Sequence, residues 1–241
     1  MTCISNPTSS LGSARRMPCA SLLLSLVAAF IFACPSLAAR LEYNRAAIAA
    51  GEIWRLFSGH WVHYGFDHFF WDVLAFGFLG AACERRSRPR FLVSVIASAL
   101  AISLSVWFGL SGMSAYRGLS GIDSALVVLL FMELWSEAGR SGQPKQIVIP
   151  AACLIAFVGK VTYELATGDT IFVKSLGSGM VGVPLAHVAG AAVGFLVGLG
   201  TPGTRRLVLT WLQTAPAPQP FEPPVLDRIA AASGGWARTA R

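Results

Sequence analysis

An all-α membrane protein is the fold class this sequence predicts, on three observations. Of 241 residues, 54% are hydrophobic and only 13% charged, well under the roughly 25% charged content of a soluble domain. Apolar stretches close to the roughly 20 residues that cross a bilayer recur along the chain. These stretches lack the period-2 alternation of barrel strands, and inside lipid only helices or closed barrels satisfy the backbone. One bundle of six helices takes up most of the length, with no soluble domain and no internal repeat.

The first apolar segment runs from Met17 to Ala38. Arg15, Arg16 and "SLAA" fit both a secretory signal with a small-residue cleavage site and the signal-anchor on which polytopic proteins often begin; the second reading is adopted. The remaining segments are Phe66 to Cys83, Phe91 to Leu110, Leu119 to Leu134, Ile147 to Leu165 and Val183 to Gly200. Gly, Pro and charge clusters separate them, among them "ERRSRPR", "SGQPK" and "TGDTIFVKSLGSG". The expected organisation is a short cytoplasmic segment over 1–16, a membrane domain over 17–200, and a Pro-rich cytoplasmic tail over 201–241 that is expected to be disordered.

With the amino terminus inside, thirteen of the nineteen Lys and Arg residues fall on inner segments. The positive-inside rule then places both termini in the cytoplasm. The net charge of +7 is accounted for by topology and attraction to anionic lipid, and calls for no nucleic-acid partner. Five cysteines (Cys3, Cys19, Cys34, Cys83 and Cys153) show no metal spacing, and an odd number scattered over the chain argues against a disulfide framework. They read as packing residues.

Polar residues inside lipid are functional candidates by default. Ser120 precedes Arg140 by 20 residues, His187 precedes Arg205 by 18, and His68 precedes Arg85 by 17. At 1.5 Å per residue the three lie roughly 30, 27 and 26 Å above the inner boundary, at one level near the outer edge of the hydrocarbon. "HVAGAAVGFLVG" sets Gly190, Gly194 and Gly198 four apart on one stripe, while the fourth segment begins with Gly118, Gly121 and Ala125. Such stripes let backbones approach, as a short Ser-to-His hydrogen bond requires. Ordinary helix packing explains the glycines equally well, but not His187 at their head.

Three motifs in order resemble the rhomboid family of intramembrane serine proteases over roughly residues 50–200. "WRLFSGHWVHYGFDHFFWD" is similar to the family's WR...HxxxxHxxxN segment, with Trp54, Arg55, His63, His68 and Asp72 in register; "GLSG" matches the nucleophile turn and "AHVAGAAVG" the AHxxGxxxG helix. The resemblance implies a six-transmembrane-helix rhomboid-like bundle. It implies a dyad, Ser120 as nucleophile and His187 as base, with no acid partner and no cofactor. "SGHWVH" looks closest to the rhombosortase branch, which implies transmembrane substrates with Gly-rich carboxy-terminal sorting tails and a bacterial inner-membrane location.

A serine hydroxyl needs a base to take its proton, and the attacked carbonyl becomes an oxyanion. The backbone N–H groups of Ser120 and its neighbour Leu119, at a helix start, are unpaired donors for that charge, and His68 adds a side-chain donor. Gly118 and Gly121 permit a tight turn and close approach of substrate backbone, with Gly190 supporting the site from the facing helix. Two positions depart from the family pattern. Asp72 replaces the Asn of the oxyanion position: either it is protonated and donates, the reading preferred here, or it turns away and serves packing or His orientation. Ser124 replaces the aromatic that packs on the base. Asp123 either shares a helical face with Ser120 and steadies the site, or is an outer-end residue that reaches water. His60 and His63 read as interfacial rather than metal ligands, since no HExxH is present, and Trp54 with Arg55 as an interfacial anchor. Two other classes stay open: an inactive relative that binds transmembrane clients, and a proton or metal transporter, disfavoured by the absence of inverted repeats.

Overall fold

The computed structural model describes residues 17–141, 144–168 and 183–201. The 1–16 segment, most of the "TGDTIFVKSLGSG" loop and the tail after Thr201 lie outside the described residues.

Each of the six apolar segments is helical. The first is not one straight span. Helix α1 (Cys19–Ala33) stops at Cys34, and α2 (Pro35–Leu41) leaves at 113° to it. Pro35 is the cause, because a proline ring disfavours helical geometry in the residue before it, and Cys34 sits at φ −121°, ψ 82°. The outer loop that follows contains a two-residue strand β1 (Tyr43–Asn44), α3 (Arg45–Ala49), α4 (Arg55–Ser58) and a 3-10 turn over Gly59–Trp61. Then come α5 (Phe66–Arg86), α6 (Arg88–Gly109), strand β2 (Ala115–Tyr116), α7 (Ser120–Ser141), α8 (Val148–Thr167) and α9 (Pro184–Leu199). The turn between α5 and α6 is Ser87 alone, extended at φ −156°, its hydroxyl accepting the Arg90 N–H at 3.4 Å as an N-cap.

Among the described residues, α5, α6 and α8 are long and apolar enough to cross a membrane, and the bent α1–α2 pair is a fourth if it forms one span. Helix α9 is a shorter apolar helix of 16 residues. Helix α7 has the length but carries Asp123, Glu133, Glu137 and Arg140. Of the six expected crossings, three or four meet these length and composition measures among the described residues. Large apolar side chains such as Phe30, Phe78, Ile96, Ile155 and Leu196 point outward, as lipid-facing surfaces do.

Helix α7 is the centre, burying Ile122, Ala125, Leu126, Leu129 and Met132. It packs most extensively on α9, and the glycine stripe explains how. A Cβ on Gly190 would overlap the Gly121 carbonyl, one on Gly194 the Ala125 carbonyl, and one on Gly198 would come 2.7 Å from Met132 Cβ. The two backbones touch, as small-residue stripes allow. At the other end of α5 and α7, Glu84 accepts the Ser21 N–H at 2.8 Å and the Ala20 N–H at 3.1 Å, satisfying orphan donors of α1, and pairs with Arg88 at 2.9 Å. Arg90 pairs with Glu133 at 2.8 Å.

The outer loop is tied to the head of α7. Strands β1 and β2 pair antiparallel, Tyr43 opposite Tyr116 and Asn44 opposite Ala115. Arg45 donates to the carbonyls of Val106, Trp107 and Leu110, each at 2.9 Å, and stacks 4.7 Å over Trp107. A cation at the carbonyl end of α6 satisfies both its orphan acceptors and its dipole. Arg117 pairs with Glu42, its Nε donating at 2.8 Å, and lies over Tyr64.

Candidate active site

The site forms where the first turns of α5, α7 and α9 meet. On α5, His68 and Asp72 are one turn apart and share a face. The Tyr64 N–H donates to His68 Nδ1 at 3.4 Å, which leaves Nε2 to carry the ring proton toward Asp72 Oδ2, 3.2 Å away. His63 Nε2 approaches the same oxygen at 3.5 Å.

Asp72 Oδ2 also accepts the Leu119 N–H at 2.8 Å and the Ser120 N–H at 3.2 Å. These are the free donors at the start of α7. One carboxylate oxygen thus stands where two backbone N–H groups and one imidazole converge. Toward the head of α7 the Asp72 carboxyl is an acceptor. Gly118 makes the convergence possible: it has φ +119°, and a Cβ there would come 2.5 Å from His68 Nε2 and 3.1 Å from Asp72 Oδ2. Gly121 is equally constrained, its Cβ position lying 2.6 Å from Ile102 Cδ1 and 3.0 Å from the Ala186 carbonyl.

The glycine contact brings His187, 8% exposed, to the same turn of α7. Its Nδ1 lies 3.0 Å from Ser124 Oγ, which donates to the Ser120 carbonyl at 2.8 Å. Ser124 therefore holds the imidazole by a hydrogen bond where the family pattern has an aromatic ring. Nε2 lies 3.4 Å from Glu164 Oε2, and Glu164 pairs with Lys160 at 2.7 Å. Among the described residues no hydrogen bond joins the Ser120 hydroxyl to His187.

Other sequence-level readings are revised. His60 and His63 are buried, not interfacial: His60 Nε2 bonds the Ala99 carbonyl at 2.9 Å and Ser103 Oγ at 3.1 Å. Burial holds the His60 imidazole down at about 4, against its ordinary value, so it stays neutral. Arg55 is buried as well, bonded to Glu52 at 2.6 Å and to the Glu42 carbonyl at 2.9 Å, while Trp54 points outward. Asp123 is 7% exposed, and its Oδ1 is buried with no hydrogen-bond partner among the described residues. Glu164 and Lys160 were missed. Their i, i+4 spacing across a span was the available signal, since a charged pair in lipid seldom stands there without a partner.

A helical, glycine-packed membrane bundle with a serine at the head of a buried helix defines the class: an integral membrane protein with a polar site sunk among its helices. The Rhomboid domain family model matches residues 50–202, and the chain belongs to the rhomboid family, whose members are generally intramembrane serine proteases acting on transmembrane substrates. Among curated proteins none matches this chain.

Proposed function

We propose that this chain is an intramembrane serine endopeptidase in which Ser120 attacks and His187 is the base. The observation that carries the reading is the convergence of the Leu119 and Ser120 N–H groups and His68 Nε2 on a single oxygen, one turn from His187. Preorganised donors aimed at one point in a dry site are what acyl transfer requires. Ser120 Oγ bonds to the scissile carbonyl carbon as its proton passes to His187. The carbonyl oxygen takes the place held by Asp72 Oδ2, whose side chain swings aside. His187 then protonates the leaving nitrogen as the C–N bond breaks, and activates the water that releases the acyl group.

The substrate is a membrane span with small or helix-destabilising residues near its outer end, because backbone must unwind before a serine reaches its carbonyl. The "SGHWVH" wording supports substrates with Gly-rich carboxy-terminal tails. Both termini are cytoplasmic in this reading, which rests on the distribution of cations.

A second reading has its own observation. With a carboxylate in the oxyanion position and no Ser120–His187 hydrogen bond among the described residues, the site also suits an inactive relative that binds transmembrane clients. Fluorophosphonate labelling separates the two, since only an activated serine reacts. Ser120→Ala and His187→Ala should each abolish labelling and substrate cleavage at unchanged protein level. A Ser120→Ala chain that still cleaves ends the protease reading.

A further inference from the structure

Ser124 stands one turn into α7 from Ser120, buried at 1% exposure, at the position where the family pattern has an aromatic ring against the base. A ring packs on an imidazole without choosing between its two nitrogens, whereas a hydroxyl has a single proton to place. Ser124 Oγ lies 2.8 Å from the Ser120 carbonyl, which can only accept, so the hydroxyl proton points there. What Oγ turns toward His187 Nδ1, 3.0 Å away, is a lone pair. Nδ1 must then be the N–H nitrogen, and a neutral imidazole carries only one such proton. At the other edge of the ring, Nε2 lies 3.4 Å from Glu164 Oε2, the longer of the two contacts, and that oxygen already accepts from Lys160 Nζ at 2.7 Å.

We infer that Ser124 is a positioning residue for His187: by accepting the Nδ1–H it fixes the tautomer whose free lone pair is on Nε2. This rests on the protease reading above and names the nitrogen that acts in it. The Ser120 proton passes to Nε2, the one ring nitrogen with a lone pair to receive it, and leaves from there to the departing amine nitrogen. The Nδ1 and Ser124 protons stay in place throughout. While both ring nitrogens carry protons the imidazole is a cation, and its hydrogen bond to Ser124 Oγ becomes charge-assisted. That bond is stronger during the reaction than before it, which is how a neutral hydroxyl contributes to rate. The last acceptor in this chain of hydrogen bonds is the Ser120 carbonyl, so the backbone of the nucleophile sets the protonation of its own base.

The full chain in detergent, isotope-labelled on its histidine ring nitrogens, reports the tautomer by nuclear magnetic resonance, since a bare ring nitrogen and a protonated one differ widely in chemical shift. The chain has four histidines, few enough for a His187→Gln spectrum to identify the His187 signals. Above neutral pH the parent should show Nδ1 protonated and Nε2 bare. Ser124→Ala removes the acceptor and should move the proton toward Nε2, which faces the Glu164 carboxylate. Saturable fluorophosphonate labelling and thermal unfolding are followed on the same samples. The limiting labelling rate of Ser124→Ala should fall about 10- to 100-fold, the size of one hydrogen bond to a charged group, with probe affinity and unfolding midpoint unchanged. A parent whose Nε2 carries the proton overturns the inference, and so does a Ser124→Ala chain with the parent's tautomer or the parent's labelling rate. A loss confined to probe affinity, or one that tracks a lowered unfolding midpoint, overturns it as well. If the parent chain does not label, or Ser120→Ala labels equally, the protease reading falls and the role of Ser124 in it falls too, while the ring-nitrogen shifts still show which nitrogen is protonated.

Discussion

Replacing Asp72 by Asn tests the least expected feature of the site. In the structure Asp72 Oδ2 holds the Leu119 and Ser120 N–H groups at 2.8 and 3.2 Å, so in the proposed mechanism a substrate carbonyl displaces it. Hydrogen bonds to a charged acceptor contribute about 1.5–3 kcal/mol, against about 0.5–1.5 for neutral ones. Removing the charge weakens the hold on two N–H groups by about 2 kcal/mol in total, which is roughly 30-fold in kcat/KM if displacement precedes attack. Asn also keeps a donor of similar shape for the oxyanion. The assay is cleavage of a reconstituted membrane substrate across neutral to alkaline pH, with variant and parent compared at each pH so that titration of His187 cancels. The carboxylate accepts two N–H groups, which favours its ionised form, so it competes with the oxyanion at every pH in this range and the ratio of Asp72→Asn to parent should stay raised throughout. Asp72→Leu clears the position but supplies no donor, and should fall below Asp72→Asn. If Asp72→Asn stays at or below the parent throughout, the carboxylate is not a competitor for the hole. If Asp72→Leu matches Asp72→Asn, the side chain contributes no donor.

His68→Ala should cost roughly 10²- to 10³-fold in kcat, the loss typical of one oxyanion donor, with expression unchanged; a loss below threefold by the same assay would remove His68 from that role. Gly190→Val should lower the unfolding midpoint and abolish labelling together, because its Cβ would overlap the Gly121 carbonyl; a folded, fully labelled variant would show that α9 can move away from α7 freely. His60 stays neutral in the fold at about 4, while the unfolded chain titrates at roughly 6.5. Its contribution is complete above the unfolded value and is lost as pH falls from roughly 6.5 toward 4, by about 3 kcal/mol in all. The midpoint difference between parent and His60→Gln in detergent should narrow over that window, and a difference constant with pH would contradict the assignment.

The helical nature of the six segments was legible because lipid leaves a chain few ways to satisfy its backbone, and apolar length records that constraint. The glycine stripe of α9 was legible for a similar reason: only absent side chains permit the backbone contacts seen at Gly121 and Ala125. The break at Cys34 was signalled by Pro35 but concealed by the apolar residues on either side. What the Asp72 carboxyl does could not be read, because whether a group donates or accepts depends on which N–H groups fold against it, and Leu119 and Ser120 are 47 and 48 residues away. His60 and His63 misled for the opposite reason. Polar residues in an outer loop suggest an interface, yet tertiary partners such as the Ala99 carbonyl draw His60 fully inside.

The two-residue ladder between Tyr43–Asn44 and Ala115–Tyr116 acts as a depth gauge for Ser120. Ser120 follows Tyr116 by four residues, and a strand advances about 3.3 Å per residue, so a slip of one register would shift the head of α7 by about that much. A catalytic constellation tolerates displacements of only about 0.5 Å. Single-residue insertions or deletions between α6 and Ser120 should therefore be far less tolerated than changes of side chain in the same stretch. The height of the serine in the membrane is set by where the outer loop grips it, as well as by the helix beneath.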